Sequence, residues 1–138
     1  MPLSLRALAL LLTLSLAAPL SAARAHPRLL KATPAADSRS AEAPRQIALT
    51  FNESLDLALT RVTLLHNGNA VRTDSLRLAA DDDKTVIASV GTSLAPGRYT
   101  VRWQVTGDDG HPVRGEFTFE VLARGGAAHD HGSSRSLR

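Results

Sequence analysis

The sequence has no cysteine, and its one methionine is Met1, the initiator. The missing cysteine excludes a disulfide scaffold, a Cys-based zinc module, an iron–sulfur site and a thiol nucleophile. With Met1 removed along with any leader, no sulfur donor of any kind remains. There is also no clustered Lys/Arg stripe with interleaved aromatics, so nucleic acid is not an expected partner. The 138 residues allow one domain, and 43% hydrophobic with 21% charged residues is the composition of a folded chain.

The only long apolar run is at the start. Met1 to Arg6 is a short basic segment, Ala7 to Ala18 is apolar, and Ala23-Arg24-Ala25 is a small-x-small cleavage pattern. Together they read as a secretory signal over residues 1–25, since the run falls short of the roughly 18 to 20 apolar residues of a membrane span. Arg6 and Arg24 leave with it, so the mature chain carries fourteen basic against thirteen acidic residues and has no basic face to speak of. Cleavage after Ala25 makes His26 the new amino terminus.

The mature chain reads as strands. Arg28–Thr33 is a short first strand, closed by Pro34 and a polar stretch to Pro44. Gln46–Phe51 alternates with Ile47, Leu49 and Phe51 on one face. Arg61–Leu65 leads into Asn67-Gly68-Asn69, a hairpin signal, and Ala70–Leu78 returns from it. Asp81-Asp82-Asp83 marks a loop before Thr85–Val90, and Pro96-Gly97 marks another turn. Tyr99, Val101, Trp103 and Val105 share one face of a strand, as do Phe117, Phe119 and Val121 in the last one. Leu55–Leu59 is long enough only for a helical turn. Seven short strands with turn chemistry between them predict an all-β sandwich, with Trp103 in its core. Residues 26–123 form this domain, and 124–138 form a Gly-, Ser- and His-containing tail.

If consecutive strands alternate direction, the start of the first strand and the turn between the sixth and seventh lie at one end. Those places hold His26 and Gly107-Asp108-Asp109-Gly110-His111-Pro112. The Asn67-Gly68 hairpin lies at the other.

A mature amino-terminal histidine can close a six-membered chelate through its amine and ring Nδ1. Amines of this kind titrate near about 7.7–8.0 and imidazoles near about 6.5, so both are readily deprotonated at neutral pH. Pro27 has no N–H, so no deprotonated amide at residue 27 competes, and it biases His26 toward extended backbone. Asp109 and His111, two apart on a tight turn relieved by Gly110, can aim at one point. Asp108 is ranked below Asp109 because it faces the other way. His26, Asp109 and His111 thus offer three nitrogens and one oxygen, a set that suits Cu(II), although zinc could use the same donors. Singly, each element has an ordinary reading: a peptidase site, and a common turn composition. Their convergence at one end is what favours a metal.

At these residues the chain resembles a known family. His26-Pro27, Phe51-Asn52-Glu53-Ser54-Leu55, Pro96-Gly97-Arg98-Tyr99-Thr100-Val101-Arg102-Trp103 and Asp109-Gly110-His111-Pro112-Val113-Arg114-Gly115-Glu116-Phe117-Thr118-Phe119 are similar to the CopC/PcoC copper-resistance proteins. The resemblance implies a periplasmic, seven-stranded, immunoglobulin-like Greek-key sandwich or barrel that carries or buffers copper. It implies Cu(II) held by the His26 amine and ring, Asp109 and His111, and a CopD-type inner-membrane copper transporter as partner. Some members also carry a Met-rich Cu(I) loop between the third and fourth strands. Here that region is Leu64-Leu65-His66-Asn67-Gly68-Asn69, without methionine, so a monomeric, Cu(II)-only protein is expected. His66 reads as an exposed hairpin residue. In the tail, His129 and His131 flank Asp130; a solvated end is the ordinary reading, and weak accessory metal ligands the sharper one.

The expected function is that of a carrier, not an enzyme. A histidine brace, as in copper mono-oxygenases, is the enzymatic alternative, but Asp109 would fill the position that oxygen activation needs open. A metal-free scaffold domain is the third reading, because fold alone fixes no function.

Overall fold

The computed structural model describes residues 26–124. Its strands are β1 (Leu29–Thr33), β2 (Arg39–Ser40), β3 (Gln46–Phe51), β4 (Arg61–His66), β5 (Asn69–Val71), β6 (Thr73–Ala79), β7 (Asp82–Val90), β8 (Gly97–Thr106) and β9 (Pro112–Val121). A single 3-10 turn, Leu57–Leu59, supplies the helical turn expected before β4. Two sheets result, in the orders β1-β3-β7-β6 and β2-β9-β8-β4-β5. Every pairing is antiparallel except the short β2–β9 contact, which is parallel. The expected leader, residues 1–25, and all of the expected tail beyond Arg124 lie outside the described residues. Among the described residues no helix is long and apolar enough to cross a membrane.

The core lies where the alternation places it. Ile47, Leu49 and Phe51 of β3 and Val86 and Ala88 of β7 face Leu64 of β4, Tyr99, Val101 and Val105 of β8, and Phe119 and Val121 of β9, all essentially buried. The Tyr99 hydroxyl donates to the Ala95 carbonyl at 2.7 Å, which satisfies the one polar atom that this face buries with it. Trp103 is half-buried rather than sealed in. Its ring meets Phe51 edge-on at 5.1 Å across the sandwich and lies over its cross-strand partner Gly115.

The seven expected segments appear as nine strands. Ala70–Leu78 is two strands, not one. Val71 pairs with Leu64 in one sheet, while Thr73 pairs with Val90 in the other, so the chain changes sheets at Arg72. The second addition is β2, which touches β9 over only two residue pairs. The acidic run is not a loop either. Ala79 pairs with Asp82, Asp81 takes a φ of 58° in the tight turn, and Asp82 and Asp83 already belong to β7. A short polar side chain tolerates that left-handed conformation, so the loop shrinks to two residues. The Asn67-Gly68 turn has φ of 52° and 80°, the pair of positive values that a two-residue hairpin needs. His66, expected to be exposed there, is instead half-buried and stacked on Tyr99 at 4.4 Å, with its Nε2 pressed toward Gly97.

The β8–β9 ladder runs in unbroken register from Gly97↔Val121 to Thr106↔Pro112. His66 pairs with Tyr99 near the start of β8, so the Asn67-Gly68 hairpin and the turn after Thr106 stand at opposite ends of the sandwich. A methyl group on Gly115 would meet Trp103 Cζ2 at 2.3 Å. Gly115→Ala should therefore lower stability by about 1–3 kcal/mol through overpacking. Fluorescence of the single tryptophan should shift to the red as the ring is displaced outward, read alongside chemical denaturation.

Candidate metal centre

Three pieces of chain meet at the end where β8 gives way to β9. The first is the segment His26-Pro27-Arg28. The Arg28 N–H donates to Asn52 Oδ1, and the Asn52 N–H donates back to the Arg28 carbonyl at 3.2 Å. Pro27 is buried, with its Cγ close to Gly107. The second is the turn Gly107–His111. The Gly110 N–H donates to the Gly107 carbonyl at 3.1 Å, and Gly110 adopts a φ of 74°. The third is the extension of β3 through Asn52 and Glu53.

The turn fixes Asp109 by its own backbone. The His111 N–H donates to Asp109 Oδ1 at 3.0 Å, an Asx turn that uses up one carboxylate oxygen. The other oxygen, Oδ2, is buried and accepts no hydrogen bond. It faces His26 Nδ1 and His111 Nδ1, each at 3.5 Å. The two imidazoles lie parallel, 5° apart in plane and 6.0 Å between centres. Both rings are about two-thirds exposed, 64% and 66%, whereas the Asp109 side chain is 5% exposed. The carboxylate forms the floor and the imidazoles form the rim.

So the structure brings together all three residues singled out at this end, His26, Asp109 and His111, and leaves Asp108 exposed beside them. Hydrogen bonding from the His111 N–H holds the Asp109 carboxyl below its usual range; burial opposes this, and the nearby His26 and His111 add to it. A buried acceptor with no donor, set between two ring nitrogens, carries a desolvation cost that a cation would offset. The side chains do not yet form a closed cage: among the described residues no set of three His, Cys, Asp or Glu is drawn together to ligating distances. Neighbouring donors on a tetragonal ion with bonds of about 2.0 Å are about 2.8 Å apart, so each 3.5 Å gap would have to close by less than 1 Å. Exposed imidazoles have the freedom to do that. His129 and His131 lie outside the described residues.

Glu53 is the residue that sequence reasoning did not single out. Its Oε1 is buried, accepts no hydrogen bond and sits against Gly107, where a Cβ would meet it at 2.0 Å. Burial raises its carboxyl above the usual 4.5; the charges of Asp109 and then Asp108 raise it further, and His26 works the other way. The sequence did hold a signal. Ile47, Leu49 and Phe51 turn inward from β3, and Glu53 follows at the same two-residue spacing just past the strand's end, an acid next in line to an otherwise apolar series.

Residues 29–122 match the CopC domain. The chain belongs to the CopC family. It is 37% identical over 120 residues to Protein YobA of Escherichia coli (strain K12), covering 86% of this chain and 94% of YobA. The crystal structure of CopC from Methylosinus trichosporium OB3b superposes with a TM-score of 0.68 at 27% identity, over 73% of this chain and 98% of that one. PcoC, a methionine-rich copper resistance protein from Escherichia coli, does so with a TM-score of 0.63 at 32% identity, over 70% of this chain and 99% of that one. The β-sandwich is thus the fold of the CopC family.

Folding shifts the Glu53 carboxyl toward its protonated form relative to the unfolded chain. Its stabilising contribution is therefore complete below about pH 4.5 and is lost as pH rises through the raised value. Glu53→Gln fixes the neutral state. In metal-free protein it should melt higher than the parent at neutral pH, with the difference vanishing at about pH 4, as thermal denaturation across that range would read.

Proposed function

We propose that this CopC-family protein is a periplasmic Cu(II) carrier or buffer and not an enzyme. In this reading the leader is removed after Ala25, and Cu(II) is held by the His26 amine and Nδ1, Asp109 Oδ2 and His111 Nδ1. The observation that carries it is the convergence of two imidazole Nδ1 atoms on one buried carboxylate oxygen that accepts no hydrogen bond. Family membership supplies the metal, since PcoC is a copper resistance protein and other relatives are named for copper resistance or copper transport.

The donor set sets the oxidation state. Three nitrogens and an anionic oxygen suit Cu(II), the strongest binder among the divalent first-row ions, whereas Cu(I) prefers thioether or thiolate. Unlike methionine-rich PcoC, this chain has no methionine beyond Met1 and no cysteine. The carboxylate also weighs against an oxygen-activating brace, because it occupies a position that such chemistry leaves open. Rim-exposed imidazoles allow the ion to pass to a membrane copper transporter of the CopD type, with the carrier acting as a monomer. His129 and His131 would be at most weak accessory ligands; truncation after Ala123 should leave the copper stoichiometry unchanged at one.

The test is a Cu(II) titration of the correctly cleaved protein, read by EPR. One extra residue before His26 removes the amine, and His111→Ala removes one imidazole. Each should weaken binding by more than the roughly 10- to 100-fold typical of losing a mere supporting group. Equal affinity in the extended chain would exclude the amine as a ligand. Because protons compete with the ion for the amine and the imidazoles, the apparent Cu(II) affinity should fall steadily with pH on the acid side of about 8, and at sufficiently low pH the EPR signal should change to that of free copper.

A further inference from the structure

An amino-terminal ligand has a disadvantage that a mid-chain ligand lacks: nothing holds it from one side. After cleavage His26 would be a chain end, and chain ends are poorly ordered unless tied down. Each residue that must be ordered on metal binding reduces affinity by the conformational entropy it loses. Three features of this structure act on the segment that His26 begins. Pro27 is buried against Gly107 at a point with no room for a Cβ. The β1–β3 register is interrupted so that Leu29 pairs with Phe51 and Lys31 with Thr50, which leaves Leu30 as an extra, exposed residue. Between these two points Asn52 grips Arg28 through both its side chain and its backbone, accepting the Arg28 N–H on Oδ1 and donating its own N–H to the Arg28 carbonyl.

The backbone half of this clasp continues the β1–β3 ladder and is available to any residue at position 52. The side-chain half is not. β3 ends at Phe51, so beyond it no strand offers a carbonyl to the Arg28 N–H, and the Asn52 amide oxygen takes that place. We infer that Asn52 is a positioning residue for the metal centre: it holds Arg28, and through Pro27 it holds His26 in the place where Asp109 Oδ2 and His111 meet it. This rests on the reading of His26 as a ligand. Asn52 is not one of the proposed ligands, and it bonds the Arg28 backbone, so it acts on how tightly the ion is held and not on which donors hold it.

The test is a double-mutant cycle in the mature protein, using Cu(II) as the probe and competition titration for affinity. Asn52→Ala should weaken Cu(II) binding about five- to tenfold, the effect of one neutral hydrogen bond, and leave the EPR signal unchanged. In metal-free protein the Arg28 amide should exchange with solvent faster than in the parent, with exchange in β8 and β9 unaltered. Asn52→Asp keeps an acceptor at the same place and should restore both the affinity and the Arg28 protection. In the His26→Ala background, Asn52→Ala should change the residual affinity less than twofold, because the side chain it positions is gone. Equal weakening in both backgrounds would reduce Asn52 to a structural role, and unchanged affinity despite a freed Arg28 amide would overturn the inference outright. If His26→Ala alone leaves the parent's affinity intact, the His26 reading fails and this inference fails with it.

Discussion

β3 turns Ile47, Leu49 and Phe51 inward and ends at Phe51, and two residues farther on the sandwich must accommodate Glu53 where its sheets come to an end. An apolar residue there would complete the core. An acid cannot, because its oxygen is buried without a donor and its neighbours include a second carboxylate in the same condition. Two acids at one end each bury a carboxyl oxygen that accepts no hydrogen bond, and two imidazoles face one of them. This pair of acids sets the polarity of this end, and Gly107 of the turn and Pro27 of the amino-terminal segment pack against it. Gly107 is the point of contact: a side chain there would displace the Glu53 carboxyl and crowd Pro27.

Much of this is legible in the residues themselves. Alternation in β3, β8 and β9 is unambiguous because one face of each is buried, and Asn67-Gly68 permits little but a tight hairpin. Counting strand reversals is enough to bring His26 to the Asp109–His111 turn. The features that escape such a reading depend on partners distant in sequence. Ala70–Leu78 has the composition of one strand, and its division at Arg72 is set by Val71 pairing with β4 while Thr73 pairs with β7. Even so, the apolar phase shifts from Val71 to Leu76 and Leu78, and that shift records the change of sheet. β2 gives no pattern at all, being two exposed residues beside β9. His66 reads as a hairpin residue because nothing local shows that Tyr99 is its cross-strand partner and Gly97 leaves space for its ring.

The candidate centre divides its work between buried and exposed groups. Asp109 is pinned by the backbone of its own turn and stays put, whereas the imidazoles have most of their surface in water. A fixed carboxylate with exposed, adjustable imidazoles suits a site that has to accept and give up an ion without reorganising the fold. It also separates the elements that give stability from those that give affinity. The ladders of β8 with β4 and β9 stabilise the sandwich, and the short contacts of residues 26–28 and 107–111 tune the rim.

The ten-residue length of β8 has one more effect. At about 3.3 Å per residue it holds the Asn67-Gly68 hairpin about 30 Å from the Asp109 turn. Charges in physiological salt are screened over about 8 Å, so the hairpin is electrically silent toward the imidazole rim. The far end is therefore a neutral handle. A surface, dye or fusion partner attached there would leave the other pole of the molecule facing solution with its local potential unaltered.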